Sequence, residues 1–172
     1  LNNFVGTNAA GTTALANGFE GIDIYGTGAG DTVQIGNGLA NGRNVISGNG
    51  VNGIRATTGN LSILGNHIGA SLNGNVDVGN SQSGIKLDGE FVNATIGGTI
   101  LGIPVGNVIS GNGSHGIEIA DVDVGATIRT NRIGTNAAGT AALGNSGDGI
   151  ALREFSAAGS SDVVIGSSSD PN

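Results

Sequence analysis

The heptapeptide NVISGNG at residues 44–50 recurs unchanged at residues 107–113, which is 63 residues further along the chain. A second heptapeptide, GTNAAGT, occupies residues 6–12 and occurs again at residues 134–140, and a looser copy of it starts at Gly69. The offsets between copies are 63, 63 and 65 residues. A long unit therefore repeats along the chain, and repetition at a fixed period is typical of solenoid folds.

A shorter period lies inside this unit. Gly-Ile pairs recur at spacings of 31 to 33 residues, and each opens a triplet in which two apolar residues flank a third residue. Alternation over so few residues indicates a short strand with one buried face. The isoleucines of these pairs are Ile22, Ile54, Ile85, Ile117 and Ile150. Two further sets of strands follow the same period: triplets that end at Ile35, Ile63, Ile96, Ile128 and Ile165, and Asn-x-(Val/Ile) segments that begin at Asn3, Asn44, Asn66, Asn107 and Asn131.

The connections between these strands alternate in length, so that a long loop on one side is balanced by a short one on the other. This keeps the length of each repeat constant, as stacking requires when equivalent strands lie about 4.8 Å apart. The sequence predicts an all-β protein, a parallel β-helix (solenoid) of about five coils with three short strands per coil. A right-handed helix is expected from the crossover rule for parallel strands. Residues 1–172 are expected to form a single domain.

The Gly-Ile-x-Ile and Asn-x-Ile-(Gly/Ser) segments, which cover nearly the whole chain, resemble the parallel β-helix repeats of the pectate-lyase-like superfamily. The resemblance implies that the asparagines of the third set fill an inward ladder at a turn. In such a ladder each side-chain amide donates to the next and satisfies buried polar groups. The alternative is that each asparagine only tolerates a left-handed backbone conformation.

The composition excludes several classes of partner. The 172 residues carry a net charge of −7 with 3% aromatic residues, which disfavours nucleic acid and anionic membrane surfaces. Cysteine is absent, so disulfides and thiolate chemistry are excluded. The abundance of Gly, Asn and Thr favours a secreted or cell-surface bacterial protein. Since Leu1 is not an initiator, we expect the domain to belong to a longer multidomain protein.

The residues expected to face outward on the Gly-Ile strands form a column of charges. Its members are Asp23, Arg55, Lys86, Glu118 and Ala151. The order of signs predicts ion pairs between neighbouring coils, Asp23 with Arg55 and Lys86 with Glu118. Exposed pairs of this kind contribute about 0–1 kcal/mol each and act mainly on register and solubility.

The turn after these strands is the candidate binding site. It carries Tyr25, Phe91 and Phe155 in alternate coils, hence about 10 Å apart. Aromatic rings bind the apolar face of a sugar, while carboxylates and arginine bind its hydroxyl groups. The alternative is that the rings point inward as part of the core. The predicted ligand-binding residues are Lys86, Asp88, Phe91, Glu118, Asp121, Asp123, Arg153, Glu154 and Phe155.

We expect no cofactor and no catalytic residue. The alternative of a Ca²⁺ site rests on Asp121, Asp123, Glu90 and Glu154, whose oxygens suit that ion. The chain lacks an Asp-Asp pair and the Gly-His-Gly and Arg-x-Lys motifs of polysaccharide hydrolases, and its two histidines, His67 and His115, lie on different strands. Arg153, near Glu154 and Asp121, is the one arrangement that would suit a lyase.

These observations favour a non-catalytic polysaccharide-binding module for plant cell-wall glycans of the xylan or pectin class, joined to a secreted carbohydrate-active enzyme. The alternative is a structural stalk or adhesin segment of a bacterial surface protein. A polysaccharide lyase or hydrolase is the less favoured third interpretation. Uncapped solenoid ends expose unpaired backbone groups, so end-to-end self-association is also expected.

Overall fold

A computed structural model describes residues 2–26, 28, 30–120, 124–153 and 162–166. Within these ranges the chain is all-β, and its helical content is a single 3₁₀ turn at Ala40–Gly42. No helix in the described ranges is long and apolar enough to cross a membrane. The strands are β1 (Phe4–Val5), β2 (Ile22–Ile24), β3 (Thr32–Ile35), β4 (Val45–Ile46), β5 (Ile54–Ile63), β6 (His67–Ile68), β7 (Ile85–Ile96), β8 (Thr99–Ile100), β9 (Ile103–Pro104), β10 (Val108–Ile109), β11 (Ile117–Ile119), β12 (Val124–Ile128), β13 (Arg132–Ile133), β14 (Ile150–Leu152) and β15 (Val163–Ile165).

The Gly-Ile segments pair side by side in parallel, in the order β2, β5, β7, β11, β14. Their isoleucines lie directly opposite one another, from Ile22 through Ile54, Ile85 and Ile117 to Ile150. The three central isoleucines are fully buried, and the two outer ones are partly buried against the same core. The predicted single inward file of isoleucines is therefore confirmed.

The second and third sets of strands follow the same register. Ile35 pairs through the central strands to Ile165, and Val5 pairs through β4, β6 and β10 to Ile133. The third set forms a five-stranded parallel sheet, whereas the first two belong to one curled eight-stranded sheet. Burying an isoleucine side chain contributes about 1.5–3 kcal/mol, so the three files supply the core of the fold.

The two central repeats differ from the prediction of separate short strands. The first and second segments are continuous there, as the ten residues of β5 and the twelve residues of β7. The bend between them is absorbed by irregularities in register around Thr58 instead of by a break in pairing. Bulges of this kind bend a strand while its ladder continues.

The predicted asparagine ladder is also confirmed. Each Nδ2 donates to the Oδ1 of the next asparagine, from Asn3 to Asn44 at 2.8 Å and so on to Asn131, with distances of 2.8–3.1 Å. Among the described residues other than glycine, positive φ angles occur at Asn2, Leu101 and Thr130, and at no ladder asparagine. The alternative of asparagines in left-handed turns is therefore wrong.

A second asparagine ladder runs parallel to the first and was not predicted. Its five members each stand four residues before a Gly-Ile pair, and their amides are linked at 2.8–2.9 Å. The Asn-x-x-x-Gly-Ile spacing is visible in the sequence and would have revealed it. The members are Asn17, Asn49, Asn80, Asn112 and Asn145.

The long loops fold back over the outer face of the five-stranded sheet. Val45, His67 and Val108 alternate with inward isoleucines on this sheet, yet all three are buried. The second long loop accounts for His67, because the carbonyl of Ser71 lies 2.9 Å from its Nδ1. Burial lowers the pKa of His67 to about 4, since desolvation disfavours the imidazolium.

Candidate functional site

The outward side chains of the Gly-Ile strands form a continuous ladder of charges. Arg55 Nη1 lies 3.9 Å from Asp23 Oδ1, and Lys86 Nζ lies 3.8 Å from Glu118 Oε1. Both ion pairs predicted from the sequence are therefore present. All of these side chains retain between 16% and 37% of their exposure, so solvent reaches them.

Asp88 joins the two pairs into one ladder. Arg55 Nε is 3.1 Å from both carboxylate oxygens of Asp88, and Lys86 Nζ is 3.9 Å from Oδ2. The hydrogen bond to Asp88 is the main reason why the pKa of Arg55 is raised. Asp88 lies two residues after Lys86, so the strand places both side chains on the same face. The ladder thus runs Asp23, Arg55, Asp88, Lys86, Glu118.

A column of polar side chains borders the ladder on the side of the short turns. Each member stands two residues before the isoleucine of a Gly-Ile pair. Asn52 Oδ1 accepts from the backbone N–H of Ser83 at 3.0 Å, and Ser83 Oγ donates to Glu118 Oε2 at 2.7 Å. These bonds tie the border to the charge ladder. The members are Glu20, Asn52, Ser83, His115 and Asp148.

The opposite border carries Tyr25 at one end and Arg153 at the other. The Tyr25 side chain faces solvent, with 73% exposure, so this aromatic residue does not belong to the core. Arg153 Nη2 lies 2.9 Å from Nε2 of His115, whose Nδ1 accepts from the backbone N–H of Asp148 at 2.9 Å. Arg153 therefore leans back across the strand toward the first border. We call the ladder and its two borders the polar face.

The structure brings together part of the predicted site. Lys86, Asp88 and Glu118 are in mutual contact on the polar face, and Arg153 lies at its edge. Ala151, predicted as an outward member of the column, is opposite Glu118 but buried, because its methyl group is too short to reach past its neighbours.

The remaining predicted residues are not described at the level of side chains. Phe91 lies within β7, where its backbone is opposite Val124, and nothing is described of its ring or of the side chain of Glu90. Four predicted residues fall outside the described ranges: Asp121, Asp123, Glu154 and Phe155. The proposed calcium ligands lie among these undescribed groups. In the described part of the chain, no three His, Asp or Glu side chains cluster in a way that would hold a metal ion.

The polar face carries more negative than positive charge. Its carboxylates are Glu20, Asp23, Asp88, Glu118 and Asp148, and its cations are Arg55, Lys86 and Arg153. Every strand of the row contributes at least one hydrogen-bonding or charged group, so donors and acceptors recur at intervals of about 4.8 Å along the stack. Such a surface can bind the hydroxyl groups of an extended neutral polymer. Comparison of the chain with family models, with curated proteins and with solved structures finds no match.

Proposed function

We propose that this chain is a right-handed parallel β-helix of five coils that acts as a non-catalytic polysaccharide-binding module of a secreted bacterial protein. The observation that carries the proposal is the polar face, a straight row of hydrogen-bonding groups repeated at the strand spacing. The parallel register of the isoleucine files supports the architecture. The resemblance to pectate-lyase-like repeats favours a glycan as the ligand.

The charge of the polar face favours a neutral glycan over an acidic one. Five carboxylates against three cations repel a polyuronate such as pectin, and the net charge of −7 adds to this repulsion. A xylan-type backbone has no such penalty. We therefore expect xylan to bind better than pectin.

Tyr25 is the proposed stacking residue. Its ring is exposed at the end of the ladder, beside Asp23, where a sugar could lie against it while its hydroxyl groups reach the charged side chains. The partners of the ladder already hold one another in place, so little side-chain freedom is lost on binding. An aromatic contact of this kind contributes about 0.5–1.5 kcal/mol, or about 3- to 10-fold in affinity.

Affinity gel electrophoresis against soluble xylan, pectin and a cellulose derivative tests the proposal. Xylan is expected to retard the protein most, and Tyr25→Ala is expected to weaken that retardation about 3- to 10-fold. Phe19→Ala is the matched control, because Phe19 is equally exposed, at 76%, but lies outside the polar face. Equal losses in both variants, or a preference for pectin, would contradict this choice of surface and ligand.

A structural stalk is the second candidate, and one observation favours it. The charges of the polar face are paired with one another, and two amide ladders run the length of the stack, as a rigid spacer requires. A folded protein that is retarded by none of the glycans would favour the stalk. Release of unsaturated sugars from pectin in the presence of calcium would instead show lyase activity and overturn the non-catalytic assignment.

A further inference from the structure

Both ends of the stack are open and apolar. At one end, a cavity of about 550 Å³ is lined by Val5, Ile22 and Ile35, the first members of the three inward files. At the other end, a cavity of about 240 Å³ is lined by the corresponding last members. These end faces are cross-sections of the same core that the internal repeats bury between them.

The two end faces are also complementary in hydrogen bonding. Every amide in both ladders donates toward the later repeat, as from Asn3 to Asn44 and from Asn112 to Asn145. The ladders therefore begin with an amide oxygen at the first face and end with amide N–H groups at Asn131 and Asn145. A repeat of this protein's own type would match either face, since each face is what an internal repeat meets.

The long loops restrict which repeat can fit. The N–H of Leu72 donates to the carbonyl of Gly11 at 2.8 Å, and the N–H of Ala137 donates to the carbonyl of Gly74 at 2.9 Å. Consecutive long loops are therefore in direct contact although they belong to repeats two strand spacings, about 10 Å, apart. A side chain at Gly74 would collide with Ala137, so this contact leaves no spare room. The intervening repeats have only short connections, from Ile46 to Ile54 and from Ile109 to Ile117.

We propose that each end face binds a β-solenoid repeat of the short-loop type. Both terminal repeats carry a long loop, bridged at Thr7–Ala14 and at Thr135–Ala142. A second copy stacked directly on an end would place two long loops about 4.8 Å apart, half the separation at which they already touch. Open ends alone favour end-to-end association of the chain, but the loops oppose it. The inference rests on the proposed five-coil architecture and not on glycan binding.

Two fusions to the full chain test the proposal. In the first, residues 107–130, a short-loop repeat, are joined ahead of Asn3, which reproduces the natural junction of Thr130 with Asn131. In the matched control, residues 66–106, a long-loop repeat, are joined at the same place. We expect the first fusion to slow hydrogen exchange at the amides of Ile22 and Ile35 at least about 10-fold, and the control to change it by less than about 2-fold. Equal protection by both, or none by the first, would overturn the proposal.

A shortened-loop variant gives an independent test that does not depend on a fused segment folding. Replacing residues 6–20 by residues 47–52 converts the first repeat to the short-loop type. This variant is expected to associate head to tail in sedimentation velocity experiments, with oligomer size rising with concentration, while the unmodified chain remains a monomer. Association of the unmodified chain to the same extent as the variant would refute the role of the loops. A variant that stays folded and monomeric at every concentration would refute it equally.

Discussion

Asn107 lies in the middle of the first ladder and is 1% exposed. Its Nδ2 donates to the carbonyl of Ile63 at 2.8 Å and to Oδ1 of Asn131 at 2.9 Å. Its Oδ1 accepts from the backbone N–H and from Nδ2 of Asn66, at 2.9 and 3.1 Å. Asn107→Ala removes all four bonds. At about 1 kcal/mol net for each bond, the variant should lose about 4 kcal/mol of unfolding free energy, a large part of the 5–15 kcal/mol typical of a domain.

Urea unfolding followed by far-ultraviolet circular dichroism measures this loss. Asn75→Ala is the control, because Asn75 is exposed on a long loop, and it should change the free energy by less than about 0.5 kcal/mol. Asn107→Asp keeps the shape and the acceptor but loses both donors, so it should be as harmful at neutral pH and partly relieved in acid, where a protonated carboxyl donates once. A loss below about 1 kcal/mol for Asn107→Ala would refute the claim that the ladder holds the repeats together.

Three further changes test other parts of the molecule. His67 is buried with its pKa lowered to about 4 from 6.5, so the unfolded state binds more protons between these values; stability should fall by about 3 kcal/mol as the pH drops from 6.5 to 4, and His67→Val should remove this dependence in urea titrations. Gly74→Ala should cost about 3 kcal/mol because it adds a collision to an unfavourable φ of +70°, whereas Gly102→Ala, with φ of +78° and open space, should cost only about 1 kcal/mol in thermal unfolding. Asp88→Asn should lower stability by at most about 1 kcal/mol, and a difference that persists in high salt would contradict the assignment of Asp88 to a solvent-exposed ion pair.

The sequence predicted the strands and their register because both follow from one period. Isoleucines 31 to 33 residues apart can be buried together only if the strands that carry them lie side by side, so Ile54 opposite Ile85 follows directly. The same period placed Asp23 beside Arg55 and Lys86 beside Glu118.

The features that were missed depend on contacts outside the strands. Asp88 follows the strand triplet, and its position between Arg55 and Lys86 depends on β7 continuing through the expected turn. His67 is buried by a loop whose path no periodicity describes. The Asn17 ladder, in contrast, could have been predicted, because its spacing from each Gly-Ile pair is constant.

The register of equivalent strands can be measured directly with pairs of cysteines, since the natural chain has none. Ser62, Thr95 and Thr127 lie opposite one another on three neighbouring strands. Adjacent positions are about 4.8 Å apart, within the range that a disulfide spans, whereas Ser62 and Thr127 are about 10 Å apart. The account predicts that mild oxidation crosslinks the 62/95 and 95/127 cysteine pairs in the folded protein and leaves the 62/127 pair reduced, as read by mass spectrometry. Crosslinking of the 62/127 pair as readily as the other two would contradict the stacked register on which the fold and the polar face depend.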